Sequence, residues 1–273
     1  MSMDKKVAFI GAGSMAEAVI SGIVHAEILQ NEQIVVTNRN NKERIDRLER
    51  RYQIQSIQDK EKVAVDADIV VLATKPYDLE PAVQSIKEYL NPNQLIISVI
   101  AGISTDDITA LIGNQSPVIR AMPNTSASIG YSATALSAGK YAGEEHVVEA
   151  KALFDTIGTT AIVAEDDMHT VTGISGSGPA YMYYFVEAME KAAVEAGLDK
   201  KTAMELIAQT VVGAGEMLKQ SGETAASLRE KVTSPGGTTQ AGLEALAAGG
   251  FQETVQECVK NARKRSVELG EKN

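Results

Sequence analysis

The chain is poor in the residues on which disulfides, thiolate metal sites and acid–base catalysis depend. Cys258 is the only cysteine, tryptophan is absent, and there are 3 histidines among 273 residues. A single cysteine excludes an internal disulfide, a cysteine zinc site and a CxxC redox pair. None of His25, His146 and His169 belongs to an orienting motif, and no HExxH, GxSxG or P-loop pattern occurs. The sequence therefore predicts no metal site and no catalytic triad.

Long apolar runs and an excess of positive charge are also missing. No segment approaches the roughly 20 apolar residues of a membrane span, and the N-terminus lacks the apolar stretch of a secretory signal. The formal net charge of −10 and the pI near 4.9 argue against a general affinity for nucleic acid or anionic membranes. We expect a cytoplasmic protein that binds a small molecule, and neither nucleic acid nor membrane.

What the sequence does contain is a glycine turn between a predicted strand and a predicted helix near the N-terminus. Residues 7–10 form an apolar run, GAGSMA follows, and apolar residues then recur at helical spacing. In a dinucleotide fold Gly11 permits the sharp turn, Gly13 leaves room for a pyrophosphate, and Ala16 lets the helix pack closely. Ser14 is expected to cap the helix. The predicted cofactor contacts are Gly11, Ala12, Gly13, Ser14 and Met15.

Strands and helices alternate up to residue 165, and helices alone follow. This order predicts an α/β fold with a Rossmann-type doubly wound sheet in residues 1–165 and an all-helical dimerisation domain in residues 166–273. The predicted strands are 7–10, 33–37, 68–74, 95–100, 117–122, 130–137 and 160–164. The predicted helices begin at Ser14 and then cover 42–52, 78–90, 104–112, 144–157, 179–197, 199–220, 237–248 and 251–269.

Ligands of open α/β sheets bind beyond the carboxyl ends of the strands, which predicts further cofactor contacts. After the second strand, where NAD-selective folds place a carboxylate, this chain has Asn38 and Arg39. Arg39 could pair with a 2′-phosphate, which favours NADPH over NADH, or it could be an exposed loop charge. Lys75 is likewise either a cofactor neighbour or a surface cation. The contacts expected after later strands are Ala73, Thr74, Lys75, Pro76, Ala101, Gly102 and Asn124.

Two glycine-rich stretches in the helical half, residues 173–181 and 233–239, precede predicted helices and could bind an anion with free N–H groups. The second is the better candidate, because Ser234, Gly236, Gly237 and Thr238 offer hydroxyl and amide donors. Thr239 follows with another hydroxyl. The alternative is a capped loop between helices, in which Ser-Pro and Gly-Gly are common.

The segments GAGSMAEA, LATKP, RAMPNT, GISGSGPAY and SPGGTTQAGLEAL, in this order, resemble the pyrroline-5-carboxylate reductase family. The resemblance covers almost the whole chain, and residues 234–246 carry its most specific motif. It implies reduction of 1-pyrroline-5-carboxylate to L-proline by NAD(P)H, the last step of proline biosynthesis. It also implies a homodimer with active sites built from both subunits, often in a larger ring such as a decamer.

The resemblance assigns roles to individual residues. Thr239 resembles the hydroxyl that contacts the ring nitrogen, and Gly237 and Thr238 resemble the backbone donors to the substrate carboxylate. Ser234 lies beside them, and Lys231 and Glu165 occupy positions similar to ones that line the site. The chain departs from the family at Asp59 and Lys60, where an asparagine near the adenosine is common.

Two other functions fit the same architecture. A 3-hydroxyacid dehydrogenase would carry a catalytic lysine and asparagine where this chain has Met182 and Val186, and neither of these can donate a proton to a carbonyl oxygen. A dinucleotide sensor without turnover would have no use for the SPGGTT loop. Both alternatives are therefore weaker than the reductase.

Overall fold

The computed structural model describes residues 3–270 of the chain. The chain forms two compact units, Met1–Ser177 with Lys260–Asn273, and Gly178–Val259. The division predicted near residue 165 remains a prediction. Residues 1–2 and 271–273, at the outer ends of the two predicted domains, lie outside the described residues.

The first unit contains an eight-stranded sheet in the order β3-β2-β1-β4-β5-β6-β7-β8. Neighbouring strands are parallel except β6 and β7, which are antiparallel. Reversal of the strand order on either side of β1 is typical of a doubly wound sheet, so the predicted Rossmann-type fold is confirmed. The strands are β1 Val7–Ile10, β2 Ile34–Thr37, β3 Gln55–Ser56, β4 Ile69–Leu72, β5 Leu95–Ser98, β6 Val118–Met122, β7 Ser132–Ala138 and β8 Gly158–Ile162.

Helices accompany the sheet as crossover connections and cover both of its faces. All residues of β1, β4 and β5 are buried. Val7 and Phe9 belong to one apolar cluster, and Ala8 and Ile10 to another, because alternate residues of a strand point to opposite faces. The helices are α1 Ser14–His25, α2 Lys42–Tyr52, α3 Lys60–Val65, α4 Leu79–Gln84, α5 Thr105–Ile112, α6 Glu144–Phe154 and α7 Met168–Val171.

The second unit is helical and has little core of its own. Among residues 178–259, only Ala203 and Ile207 are buried. Large apolar side chains such as Tyr184 (78% exposed) and Val212 (57% exposed) face outward. The helices are α8 Gly178–Glu195, α9 Lys200–Gln220, α10 Ala225–Lys231, α11 Thr238–Ala248 and α12 Phe251–Gly270, the last of which continues into the first unit.

Three local predictions are wrong. Ser14 is the first residue of α1 rather than its cap, because Gly13 takes the capping position. The helix predicted over 78–90 ends at Gln84, where the Ser85 hydroxyl donates to the Ala82 carbonyl (2.7 Å) and competes with the next turn. Residues Thr172–Gly176, which the prediction left outside any helix, form a π-helical turn. Among residues 3–270, no helix is both long enough and apolar enough to cross a membrane.

Candidate functional site

A cleft of about 930 Å³ opens at the carboxyl ends of β1, β2, β4 and β5. Because these four strands are parallel, their carboxyl ends meet at the edge of the sheet where dinucleotides bind. The structure brings together all but two of the predicted cofactor contacts. Those that line the cleft are Gly11, Ala12, Gly13, Ser14, Met15, Asn38, Arg39, Ala73, Thr74, Lys75, Pro76 and Ala101.

The two glycines of the turn have different roles: the fold requires Gly11, and Gly13 leaves the cleft open for a ligand. Gly11 has φ +112°, and a Cβ there would lie 2.5 Å from the Ala73 carbonyl oxygen, so no side chain fits. Its amide donates to the Thr37 carbonyl (2.9 Å), which ties the turn to β2. Gly13 has an ordinary φ of −70°. A Cβ on Gly13 would meet nothing closer than Ala73 O at 3.9 Å, so its missing side chain keeps the cleft open.

The start of α1 supplies donors to the cleft. The Glu17 amide donates to the Gly13 carbonyl (3.0 Å), which is the first hydrogen bond of the helix. The amides of the three residues before Glu17 therefore have no carbonyl of the helix to bind. Ser14 and Met15 line the cleft beside them. Free amides and the positive end of the helix dipole suit a pyrophosphate.

Arg44 of α2 binds two backbone carbonyls of the glycine turn. The sequence did not predict this contact. Its Nε donates to the Ala12 carbonyl (2.8 Å), its Nη2 donates to the Gly13 carbonyl (3.2 Å), and Nη2 also pairs with Glu17 (2.6 Å). Binding both carbonyls on one side holds the peptide groups of the turn in one orientation. Arg44 is 32 and 31 residues away in the chain, so no local pattern could reveal it.

The far end of the cleft, beyond β2, contains two cations in different settings. Arg39 pairs with Asp78 (3.5 Å), and its side chain is 69% exposed. Lys60, the first residue of α3, also lines the cleft, and its Nζ donates to the Thr37 hydroxyl (2.7 Å). Burial lowers the pKa of Lys60 below its usual value, since a charge is less stable away from water. From the sequence, Lys60 is expected near the adenosine only because it departs from the family pattern there.

Thr74 gives the cleft an unused polar atom. Its Oγ1 is buried and has no hydrogen-bond partner among residues 3–270. A buried hydroxyl without a partner costs stability, so such a group at a cleft fits a polar ligand. Together with the open space at Gly13 and the free amides of α1, it shows that the residues present suit a dinucleotide.

Gly102 and Asn124 do not line this cleft. The Asn124 side chain is held in the fold: its Oδ1 accepts from the Ser126 amide (3.0 Å), and its Nδ2 donates to the Ser175 carbonyl (3.0 Å). A Cβ on Gly102 would meet the backbone of Leu269 and Gly270 at about 3.7 and 3.6 Å. Contact of either residue with a cofactor remains a prediction.

The SPGGTT loop, in the second unit, leads into α11. The Gly236 amide donates to the Gln240 side chain (2.8 Å), and the Gly237 amide donates to the Ser234 carbonyl (3.0 Å). A Cβ on Gly237 would lie 2.4 Å from Ser234 Oγ and 3.0 Å from the Ser234 carbonyl oxygen, so the loop packs closely there. The first hydrogen bond of α11 is donated by Ala241, which leaves the amides of Thr238, Thr239 and Gln240 free. Of the predicted donors Ser234, Gly236, Gly237 and Thr238, the Thr238 amide is among the free ones, whereas the Gly236 and Gly237 amides are bound within the loop.

Two further predicted site residues have partners within their own units. In the first unit, Glu165 accepts from the Thr105 amide (2.8 Å) and the Thr105 hydroxyl, and it pairs with the buried Arg120 (3.4 Å). In the second unit, Lys231 pairs with Glu223 (2.6 Å). The hydrogen bond from Lys231, and then that from Ser227, lower the pKa of Glu223. A role for Glu165 and Lys231 at a substrate remains a prediction.

Known proteins share this sequence and fold over nearly the full length. The chain is 47% identical to pyrroline-5-carboxylate reductase 2 of Bacillus subtilis, over 98% of this chain and 96% of that protein. It is 38% identical to the pyrroline-5-carboxylate reductase of Staphylococcus haemolyticus, over 97% of both chains. The chain belongs to the pyrroline-5-carboxylate reductase family. The predicted family membership is thereby confirmed.

Family models and solved structures agree with this assignment. A model described as pyrroline-5-carboxylate reductase dimerisation matches residues 165–269, and one described as NADP oxidoreductase coenzyme F420-dependent matches residues 6–102. The reductase structure from Coxiella burnetii is 33% identical, with a TM-score of 0.92 over 98% of this chain and 99% of that chain. The structure from Plasmodium falciparum, with NADP bound, is 29% identical, with a TM-score of 0.86 over 99% of this chain and 100% of that chain.

Proposed function

We propose that this protein reduces 1-pyrroline-5-carboxylate to L-proline with NAD(P)H, the last step of proline biosynthesis. The observation that carries the proposal is the similarity to pyrroline-5-carboxylate reductases over 98% of the chain. The cleft of the first unit agrees with it, because its open turn, free amides and unused Thr74 hydroxyl suit a dinucleotide. When bound, the reduced nicotinamide supplies the hydride. The residues of the chain bind and position the coenzyme and the substrate.

NADPH is the coenzyme that we propose this protein prefers, with NADH as a second donor. The loop after β2 has Asn38, Arg39, Asn40 and Asn41 and no carboxylate to repel a 2′-phosphate. The Plasmodium falciparum relative was solved with NADP bound, which agrees with this preference.

The substrate carboxylate is proposed to bind at the start of α11. The free amides of Thr238, Thr239 and Gln240 and the positive end of the helix dipole favour an anion there. The Thr239 hydroxyl is proposed to contact the ring nitrogen, with Ser234, Lys231 and Glu165 lining the site. Gly236 and Gly237 shape the loop, since their amides already have partners within it.

The reaction asks little acid–base chemistry of the protein. An imine nitrogen is more basic than a carbonyl oxygen, so it can arrive protonated or receive a proton through a hydroxyl and water. The hydride forms a bond to the imine carbon, the carbon–nitrogen double bond becomes single, and the nitrogen gains the proton. Holding the two reacting carbons at near-attack distance is the main contribution of the site. This agrees with the scarcity of histidine in the chain.

A homodimer is the proposed assembly. The dimerisation family model supports self-association, and the second unit has only Ala203 and Ile207 buried among residues 178–259. Apolar surface of this extent is stabilised when a second copy covers it. A ring of dimers and a cytoplasmic location remain predictions.

The structure adds no support for a 3-hydroxyacid dehydrogenase or for a dinucleotide sensor without turnover. Met182 of α8, at the position of a dehydrogenase lysine, is 54% exposed and apolar. The experiment that tests the reductase is NADPH oxidation by the purified protein with and without 1-pyrroline-5-carboxylate, with L-proline measured as product. We expect equal amounts of NADP and proline. NADPH that stays unoxidised with this substrate, or is consumed by a 3-hydroxyacid instead, would reject the proposal.

A further inference from the structure

Lys60 is a partly buried cation whose ammonium has, among the described residues, one hydrogen-bond partner, a neutral hydroxyl. Its Nζ donates to the Thr37 hydroxyl (2.7 Å), and among residues 3–270 it forms no ion pair with a carboxylate. Burial lowers the pKa of Lys60, and no nearby charge contributes to the shift. Holding an ammonium in such a place costs stability, and an anion beside it would offset that cost.

The position of Lys60 indicates which anion. Thr37 is the last residue of β2, and the ribose of a dinucleotide binds at the end of this strand in a doubly wound fold. Lys60 lines the same cleft as Asn38, Arg39 and Asn40, which follow Thr37. A hydroxyl donor and an ammonium at this place match the extra phosphate that distinguishes NADPH from NADH.

Arg39 is less suited to select the coenzyme. Its guanidinium already pairs with Asp78 (3.5 Å), and its side chain is 69% exposed, so water and Asp78 both compete with a phosphate. Lys60 has no carboxylate competitor among residues 3–270. It lies on the first turn of α3, where the Asp59 side chain accepts from the Lys62 amide (3.3 Å) and fixes the start of the helix.

We propose that Lys60, with the Thr37 hydroxyl, binds the ribose 2′-phosphate of NADPH and sets the preference of this protein for NADPH over NADH. The role of Lys60 in choosing a coenzyme rests on the proposed reductase function. Binding of an adenosine 2′-phosphate by Lys60 at the end of β2 can be measured without any substrate.

The test compares adenosine 2′,5′-bisphosphate with 5′-AMP by calorimetric titration of the full-length protein. Lys60→Gln is expected to weaken binding of the bisphosphate about 10- to 150-fold, the usual effect of losing a hydrogen bond to a charged group, and to leave the affinity for 5′-AMP within about twofold. Lys60→Arg should retain most of the wild-type affinity for the bisphosphate. Lys62→Gln, an exposed lysine two residues along the same helix, is the matched control and should bind both probes like the wild type.

Steady-state kinetics give a second readout. With Lys60→Gln the KM for NADPH should rise by a similar factor, while kcat and the KM for NADH stay within about twofold of wild type. Equal losses for both coenzymes, or unchanged bisphosphate binding in Lys60→Gln, would overturn the assignment of Lys60. A wild-type protein that binds the bisphosphate but does not reduce 1-pyrroline-5-carboxylate would overturn the proposed function and leave Lys60 in place.

Discussion

Substitution of Gly13 by alanine should weaken coenzyme binding without harming the fold. Gly13 has φ −70° and ψ −179°, which alanine adopts readily. The nearest atom to its added Cβ would be Ala73 O at 3.9 Å, an ordinary contact distance. The new methyl group therefore costs the fold no steric strain, but it projects into the cleft beside the free amides of α1.

The magnitudes follow from these distances. Replacing glycine by alanine at a permitted φ stabilises by about 0.4–1 kcal/mol, and loss of a preferred helix cap costs a similar amount. The free energy of unfolding should thus change by less than about 1 kcal/mol, which is a shift in Tm of less than about 4 °C. A phosphate oxygen held about 2.9 Å from an amide cannot share that space with a methyl group. Losing one such bond weakens binding by about 10- to 150-fold.

The assay pairs a thermal melt with titration of NADPH, followed by its fluorescence. Gly11→Ala is the comparison, because its Cβ would lie 2.5 Å from a backbone oxygen at φ +112° and should destabilise the fold itself. We expect Gly13→Ala to melt with the wild type and bind NADPH poorly, and Gly11→Ala to melt at a lower temperature. A folded Gly13→Ala that binds NADPH as tightly as the wild type would refute the placement of the pyrophosphate.

Three further predictions concern the substrate, acid stability and assembly. Thr239→Ala should lower kcat while the affinity for NADPH persists, and unchanged turnover would remove Thr239 from the site. Burial, and then Arg120 and Arg263, lower the pKa of His169. Below pH 6.5, the ordinary pKa of histidine, the unfolded state therefore takes up a proton that the folded state binds less readily. The free energy of unfolding thus decreases as the pH falls. Urea unfolding of His169→Gln should show a smaller loss between neutral and mildly acidic pH, and parallel losses would contradict this. Light scattering should find a dimer or larger, and a stable monomer would exclude the proposed interface.

Local patterns were enough to predict the glycine turn and several helices. The apolar run of β1, the glycines after it and the helical spacing of α1 lie within one short stretch, so their physics is local. The range predicted for α2, 42–52, is the range observed. The Ser-Thr-Asp-Asp start of α5 forms a capping box between Ser104 and Asp107, as its composition suggests.

Contacts between distant segments were beyond such patterns. Lys60 reaches the cleft because β3, a strand of 2 residues, carries the chain to the sheet edge, and so short a strand leaves no periodic signal. Arg44 binds the glycine turn from a helix about 30 residues on. In the SPGGTT loop, the Gln240 side chain accepts the hydrogen bond of the Gly236 amide, and the free amides begin at Thr238. The residue types alone do not determine which amides stay free.

Glycine content misled the prediction for residues 173–181. Glycine lowers helix propensity, yet Thr172–Gly176 continue α7 as a π-helical turn. The Ser177 amide donates to the Thr172 carbonyl (2.8 Å), and a Cβ on Gly176 would lie 2.9 Å from the Met122 methyl group. Gly176 therefore packs closely against a side chain of β6 from within a helical turn, and tertiary contacts override the local preference.

Transfer of deuterium from NADPH that carries deuterium at both C4 positions tests the central claim most directly. The purified protein would be incubated with this NADPH and 1-pyrroline-5-carboxylate, and the proline analysed by mass spectrometry and NMR. The account predicts L-proline with a single deuterium on the ring carbon that was the imine carbon, in equal amount to the NADP formed. Proline without the label, or NADPH left unoxidised, would contradict direct hydride transfer in this site.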